Sequence, residues 1–244
     1  MKEDAGGVET RGELAAIVRS LNELLRGRGG IRSAPARRPV PAKKPDAARG
    51  PDEARPGSPA PDAAALQALR QETAGCERCP LHKTRTNVVF GSGSGSTRIL
   101  FVGEAPGRDE DLQGLPFVGR AGQLLTKIIQ AIKFNRDDVY IANVLKCRPP
   151  ENRNPLPEEV ARCRPFLLKQ IELLRPKVIC TLGVFATQVL LDTKSPLTVL
   201  RGQVHKVNGL TVVPTYHPAA CLRDPRLKAA VWEDVKLLRQ EYLS

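Results

Sequence analysis

Two sets of residues in this sequence have types and spacings that can do chemistry. The first is four cysteines. Cys76 and Cys79 form a CxxC pair followed by proline, Cys147 closes an apolar segment, and Cys163 lies in the helix-patterned stretch after it. Two thiolates from one loop and two from distant elements can close a four-sulfur cage, a ligand set that zinc and an iron–sulfur cluster both accept. Zinc ribbons more often pair two CxxC knuckles, and here there is one, which favours the cluster. The ordinary alternative is buried free thiols, a description that suits Cys180, inside an apolar strand, and Cys221. The second set is Glu104, Phe117, Asn143 and His217. Singly they read as a solvated acid, a core aromatic, a satisfied amide and a surface histidine. Together at one sheet edge they suit a flat, polar, heterocyclic ligand. Phenylalanine stacks on it, asparagine offers a donor and an acceptor side by side, and histidine supports charge on an oxygen.

The elements that must position these residues follow from the apolar pattern. Arg98–Gly107 reads RILFVGEAPG, a short buried strand over Arg98–Val102 running into a turn. Glu104 then sits at the strand's carboxyl end, where open α/β sheets bind their ligands. Gly103 and Gly107 let the backbone come close to a ligand, and Pro106 stiffens the turn. Val139–Cys147 is a second strand with Asn143 inside it, Lys177–Gly183 a third, and Leu210–Pro218 a last one leading to His217. Helical spacing covers Ala121–Lys133, a long segment broken or kinked near Pro165, VFATQVLL, and Arg226–Tyr242. Thr198–Asn208 reads as a hairpin or an extended excursion. Strand and helix alternating four times predicts an α/β fold: three layers, α/β/α, around a mainly parallel four-stranded sheet. The GSGSGS run at Gly91–Ser96 reads as a flexible loop; it lacks the lysine and following helix of a phosphate-binding loop.

The chain has 244 residues and a formal net charge of +12, which favours a polyanionic partner such as nucleic acid. Residues 1–62 are expected to hold an amphipathic helix over Val8–Arg26 and then a disordered Pro/Ala/Arg-rich linker. That helix suits an unidentified protein partner as well as its own domain. Residues 63–244 form the globular domain. No apolar run approaches membrane-spanning length and no signal-peptide core opens the sequence, so the expectation is an intracellular protein without a membrane partner. Six cysteines in a reducing compartment then point to metal ligands or buried thiols rather than disulfides.

GEAPG at Gly103–Gly107, LPFVGRAGQLL at Leu115–Leu125, NVLKCRPP at Asn143–Pro150 and HPAACLR at His217–Arg223 closely resemble the motifs of family 4 uracil-DNA glycosylases, and the cysteine pattern resembles their 4Fe–4S ligands. The resemblance covers about Ala63 to Ser244. It implies a DNA repair enzyme that flips uracil out of DNA, single- or double-stranded, cleaves the N-glycosidic bond as a monomer, and leaves an abasic site. It further implies that Asn143 reads O4 and N3–H of uracil, with a neighbour such as Lys146 or the main chain locking its amide. Phe117 stacks on the base, Gly103 and Ala105 line its pocket, and His217 donates to O2. Glu104 positions water or stabilises the cationic sugar. Pro106, Pro218, Leu222 and Arg223 contact DNA, with Leu222 and Arg223 filling the gap and holding phosphate. Cys76, Cys79, Cys147 and Cys163 hold the cluster. Family 5 glycosylases lack the acid found here as Glu104. A covalent-trapping relative carries GEQPG and a His-bearing insertion, where this chain has Ala105 and no histidine, so turnover is expected. The competing expectation is an iron–sulfur protein that recognises damage without cleaving it; intact Glu104, Asn143 and His217 favour the enzyme.

Overall fold

The computed structural model describes residues 61–244. The expected N-terminal helix and nearly all of the linker lie outside the described residues. β1 (Ile99–Gly103) is the apolar run ILFVG, buried along its whole length. It lies between β2 (Tyr140–Asn143) and β3 (Val178–Leu182), while β5 (Leu210–Thr215) flanks β3 on the far side; these four run parallel. The sheet has a fifth member. β4 (His205–Val207) pairs antiparallel with β5 at the edge, giving the order β2-β1-β3-β5-β4. The four-stranded expectation is therefore corrected. β4 is only three residues long and partly exposed, so it carries no apolar run to mark it. Its hairpin turns through Asn208 and Gly209, whose φ values of 48° and 77° suit the tight turn that matches strand twist.

The helices in chain order are α1 (Ala63–Ala74), α2 (Arg108–Gln113), α3 (Arg120–Ala131) and α4 (Pro157–Leu174). They continue with α5 (Val184–Leu191), α6 (Leu197–Leu200), α7 (Pro218–Arg223) and α8 (Leu227–Leu243). Strand residues alternate between the two faces of the sheet. Ile99 and Phe101 of β1 pack with Leu125 and Ile129 of α3 and with Val231, Val235 and Leu238 of α8. Leu100 and Val102 pack the other way, with Leu167, Ile171 and Leu174 of α4 and Ala186 and Leu190 of α5. Each such side chain contributes on the order of 2 kcal/mol by leaving water, so both faces clamp β1 and fix where its carboxyl end emerges. The result is the expected α/β/α sandwich.

Three local expectations change. α4 runs unbroken through Pro165. Pro165 and Ala161 are both exposed, so the helical hydrogen bond that proline forfeits is lost on the solvent side, while Cys163, Phe166, Leu167 and Ile171 hold the buried face. β2 ends at Asn143, not at Cys147, because the chain then bends to donate from Val144 and Leu145 to the carbonyls of Gly103 and Glu104. The GSGSGS run is tied down: Ser92 exchanges both backbone hydrogen bonds with Ile141, and Ser94 donates to the Asp137 carbonyl. Among the described residues no helix is long and apolar enough to cross a membrane.

Candidate active site and cysteine cluster

The carboxyl ends of β1, β2 and β5 open into one cleft of about 700 Å³, lined by Glu104, Ala105, Phe117, Asn143, His217 and Arg223 among others. Four distant sequence segments therefore converge on one cleft. Asn143, the last residue of β2, is 1% exposed, and its Oδ1 makes no hydrogen bond within the protein. Gly103 pairs with it across the sheet. A Cβ on Gly103 would overlap Asn143 Oδ1 and stand 2.6 Å from Phe117 Cζ, so only glycine leaves room where the amide and the aromatic ring meet. The Phe117 and His217 rings lie 5.5 Å apart, tilted by 31°.

His217 is the N-cap of α7, and its Nδ1 accepts from the Ala219 amide at 3.1 Å. A nitrogen that accepts carries no proton, so the neutral ring must carry its hydrogen on Nε2. Burial pushes the imidazole down to about 4, helped by the positive charge of Arg223. At neutral pH the ring is therefore an uncharged Nε2–H donor. Burial moves Glu104 the other way, raising its carboxyl above the ordinary value. Pro106 and Pro218 are both buried; Pro218 opens α7 at its first position, where its missing N–H costs nothing. Leu222 and Arg223, at the end of α7, are exposed.

Two further residues serve the site: Glu110, outside the predicted set, and Lys146, expected to lock the Asn143 amide. Glu110 accepts from the amides of Gly107, Val118 and Gly119 at 3.2, 2.9 and 3.1 Å. One carboxylate thus ties the turn after β1 to the loop that carries Phe117. Gly107 has no side chain, so only the Glu110 half of a capping box forms, and no capping signature marks it in the sequence. Lys146 is fully buried, and its Nζ donates to the Asn143 carbonyl at 2.8 Å and to Gln170 Oε1 at 2.6 Å. It fixes the main chain of Asn143 rather than the side-chain amide.

The four predicted cysteines line one cavity together with Arg85, Lys146 and Arg162. Arg85 Nη1 donates to the Cys76 carbonyl at 2.7 Å and to Cys147 Sγ at 3.2 Å, and the Lys146 amide donates to Cys163 Sγ at 3.3 Å. Burial raises the Cys147 thiol and pushes Cys163 up to about 11. No group of three or more His, Cys, Asp or Glu among the described residues is arranged to hold a metal ion, so the shared cavity and its N–H donors define this centre. Cys180 and Cys221 are buried away from it, in the core under α8.

Residues 90–236 match the profile of the Uracil DNA glycosylase superfamily. Over 180 residues the chain is 48% identical to a type-4 uracil-DNA glycosylase of Archaeoglobus fulgidus, covering 70% of this chain and 90% of that protein. A type-4 uracil-DNA glycosylase of Thermotoga maritima is 47% identical over 175 residues, 70% of this chain and 91% of that protein. One of Sulfurisphaera tokodaii is 43% identical over 185 residues, 72% and 84% respectively.

Proposed function

The chain belongs to the uracil DNA glycosylase superfamily, among its type-4 members, and from that premise we propose that it hydrolyses the N-glycosidic bond of deoxyuridine in DNA, releasing uracil and leaving an abasic site. The observation that carries the proposal is the Asn143 carboxamide, whose buried oxygen lacks a partner in the cleft. An unpaired buried acceptor costs roughly 1–3 kcal/mol, and the N3–H of a flipped uracil supplies the missing donor while the amide nitrogen faces O4. Gly103 leaves space for the ring, and Phe117 stacks on it. As the C1′–N1 bond breaks, its electron pair moves onto the base, and Nε2–H of His217 donates to O2. A neutral donor suits that task, because it supports the developing charge without first having to bind a proton. The carboxylate of Glu104 faces the cationic sugar and orients the water that adds to C1′. Exposed Leu222 fills the gap left in the base stack and Arg223 holds phosphate, while buried Pro106 and Pro218 stiffen the two turns beneath them.

Cys76, Cys79, Cys147 and Cys163 fit a 4Fe–4S cluster. Burial raises the thiols of Cys147 and Cys163, so a cationic iron core would favour their ionised forms, and N–H donors already point at both sulfurs. Bound there, the cluster would supply iron–thiolate bonds tying the CxxC loop to Cys147 in the β2–α4 connection and to Cys163 in α4. The test is direct: purified protein with a uracil-containing oligonucleotide, then alkaline cleavage at the abasic site. Strand scission dependent on uracil is expected, with brown protein containing iron. An intact oligonucleotide overturns the enzymatic assignment, and colourless protein with stoichiometric zinc overturns the cluster.

A further inference from the structure

Phe117 is held in a conformation that its residue type disfavours. Its φ of 54° lies in the left-handed region, uncommon for a bulky side chain, and such strain persists only where the surroundings over-determine it. Two contacts do so. The Phe117 carbonyl lies so close to α3 that a Cβ on Gly122 would overlap it. On the same carbonyl acts Arg136, from the connection between α3 and β2. Its Nη2 donates to the carbonyls of Pro116 at 2.8 Å and Phe117 at 3.0 Å, and its Nη1 donates to Thr126 Oγ1 at 3.0 Å. The Thr126 hydroxyl in turn donates to the Gly122 carbonyl at 3.1 Å. One guanidinium therefore bridges the loop to the helix; burial disfavours its charge, and the negative charges of Asp137 and Glu110 offset part of that cost.

We propose that Arg136 is a positioning residue for base capture: by gripping the Pro116 and Phe117 carbonyls it keeps the Phe117 ring presented to the cleft. The proposal rests on the glycosylase reading, in which that ring stacks on the flipped base. Released from the fork, the backbone relaxes toward negative φ and turns the ring away.

A double-mutant cycle on uracil excision tests this, because a residue that acts only through Phe117 has nothing left to contribute once the ring is gone. Phe117→Ala is expected to lose about 10-fold or more in kcat/KM, the scale of base–aromatic stacking. Arg136→Gln is expected to lose about 10-fold, and Arg136→Lys, which keeps the charge but not the planar fork, less. The double variant Phe117→Ala with Arg136→Gln should fall within about 2-fold of Phe117→Ala alone, because the losses do not multiply. Should Arg136→Gln fail to fold, the same cycle is run with Arg136→Lys. Multiplying losses, or an Arg136 variant with unchanged kcat/KM, overturn the proposal alone. A wild-type chain that releases no uracil overturns the glycosylase reading and this proposal with it.

Discussion

His217→Asn separates the two things the imidazole does. Asparagine is a favoured N-cap, and its side-chain oxygen can accept from the Ala219 amide as Nδ1 does, so α7 should keep its cap. What disappears is the titration and the Nε2 donor. In the folded protein the ring is held at about 4, against an ordinary 6.5. Above pH 6.5 the imidazole is neutral in both the folded and the unfolded chain and adds no pH dependence. As pH falls from 6.5 toward 4 the unfolded chain takes up a proton that the folded chain refuses, so wild type loses stability in that window. The full span corresponds to about 3 kcal/mol, and the step from pH 7.5 to 5.5 to about 1.4 kcal/mol. Urea unfolding of wild type and His217→Asn at those two pH values should show the wild type losing that much more than the variant. Excision by the variant should be strongly reduced at both. Wild-type kcat should not climb as pH drops through 6.5. Two results refute the reasoning: unfolding curves that shift equally in both proteins, or a wild-type rate that rises with imidazole protonation, which would make the imidazolium the donor.

In Asn143→Asp an ionised carboxylate cannot donate to O4 and repels the anionic base, so single-turnover uracil release should fall on the order of 10-fold or more, as one unpaired polar group is worth roughly 1–3 kcal/mol; near-wild-type release would mean that another residue reads the base. Gly103→Ala places a methyl group against Asn143 Oδ1 and Phe117; circular dichroism should report a folded chain destabilised by roughly 1–3 kcal/mol, while the kinetics show raised KM. Arg85→Gln removes the charged donor to Cys147 Sγ, and loss of the thiolate-to-iron absorbance in chelator should quicken by about 10-fold or more.

The residues that were legible in the sequence are those whose chemistry is local. The apolar run Ile99–Val102 marks its own strand, and Glu104, Asn143 and His217 follow three such runs, so placing the strands parallel already put the three residues at one edge. The cysteines carry their spacing with them. Arg136 and Arg85 left no such trace. Besides Cys147 Sγ and Thr126 Oγ1, they grip main-chain carbonyls of Pro116, Phe117 and Cys76, and every residue has a carbonyl, so no residue type at a fixed spacing announces those bonds. The same holds for the space at Gly103, which is set by Asn143 on a neighbouring strand and by Phe117 on a loop that follows. The edge strand β4 and the unbroken α4 escaped for a related reason: a three-residue strand and an exposed proline are decided by what packs beside them. In this protein the groups proposed to touch the substrate are written in short motifs, while the groups that aim them act through the backbone, Glu110 on amides up to 9 residues away and Arg136 on carbonyls up to 20 away. The variants that separate aiming from chemistry therefore lie at Arg136 and Glu110, positions that no motif singled out.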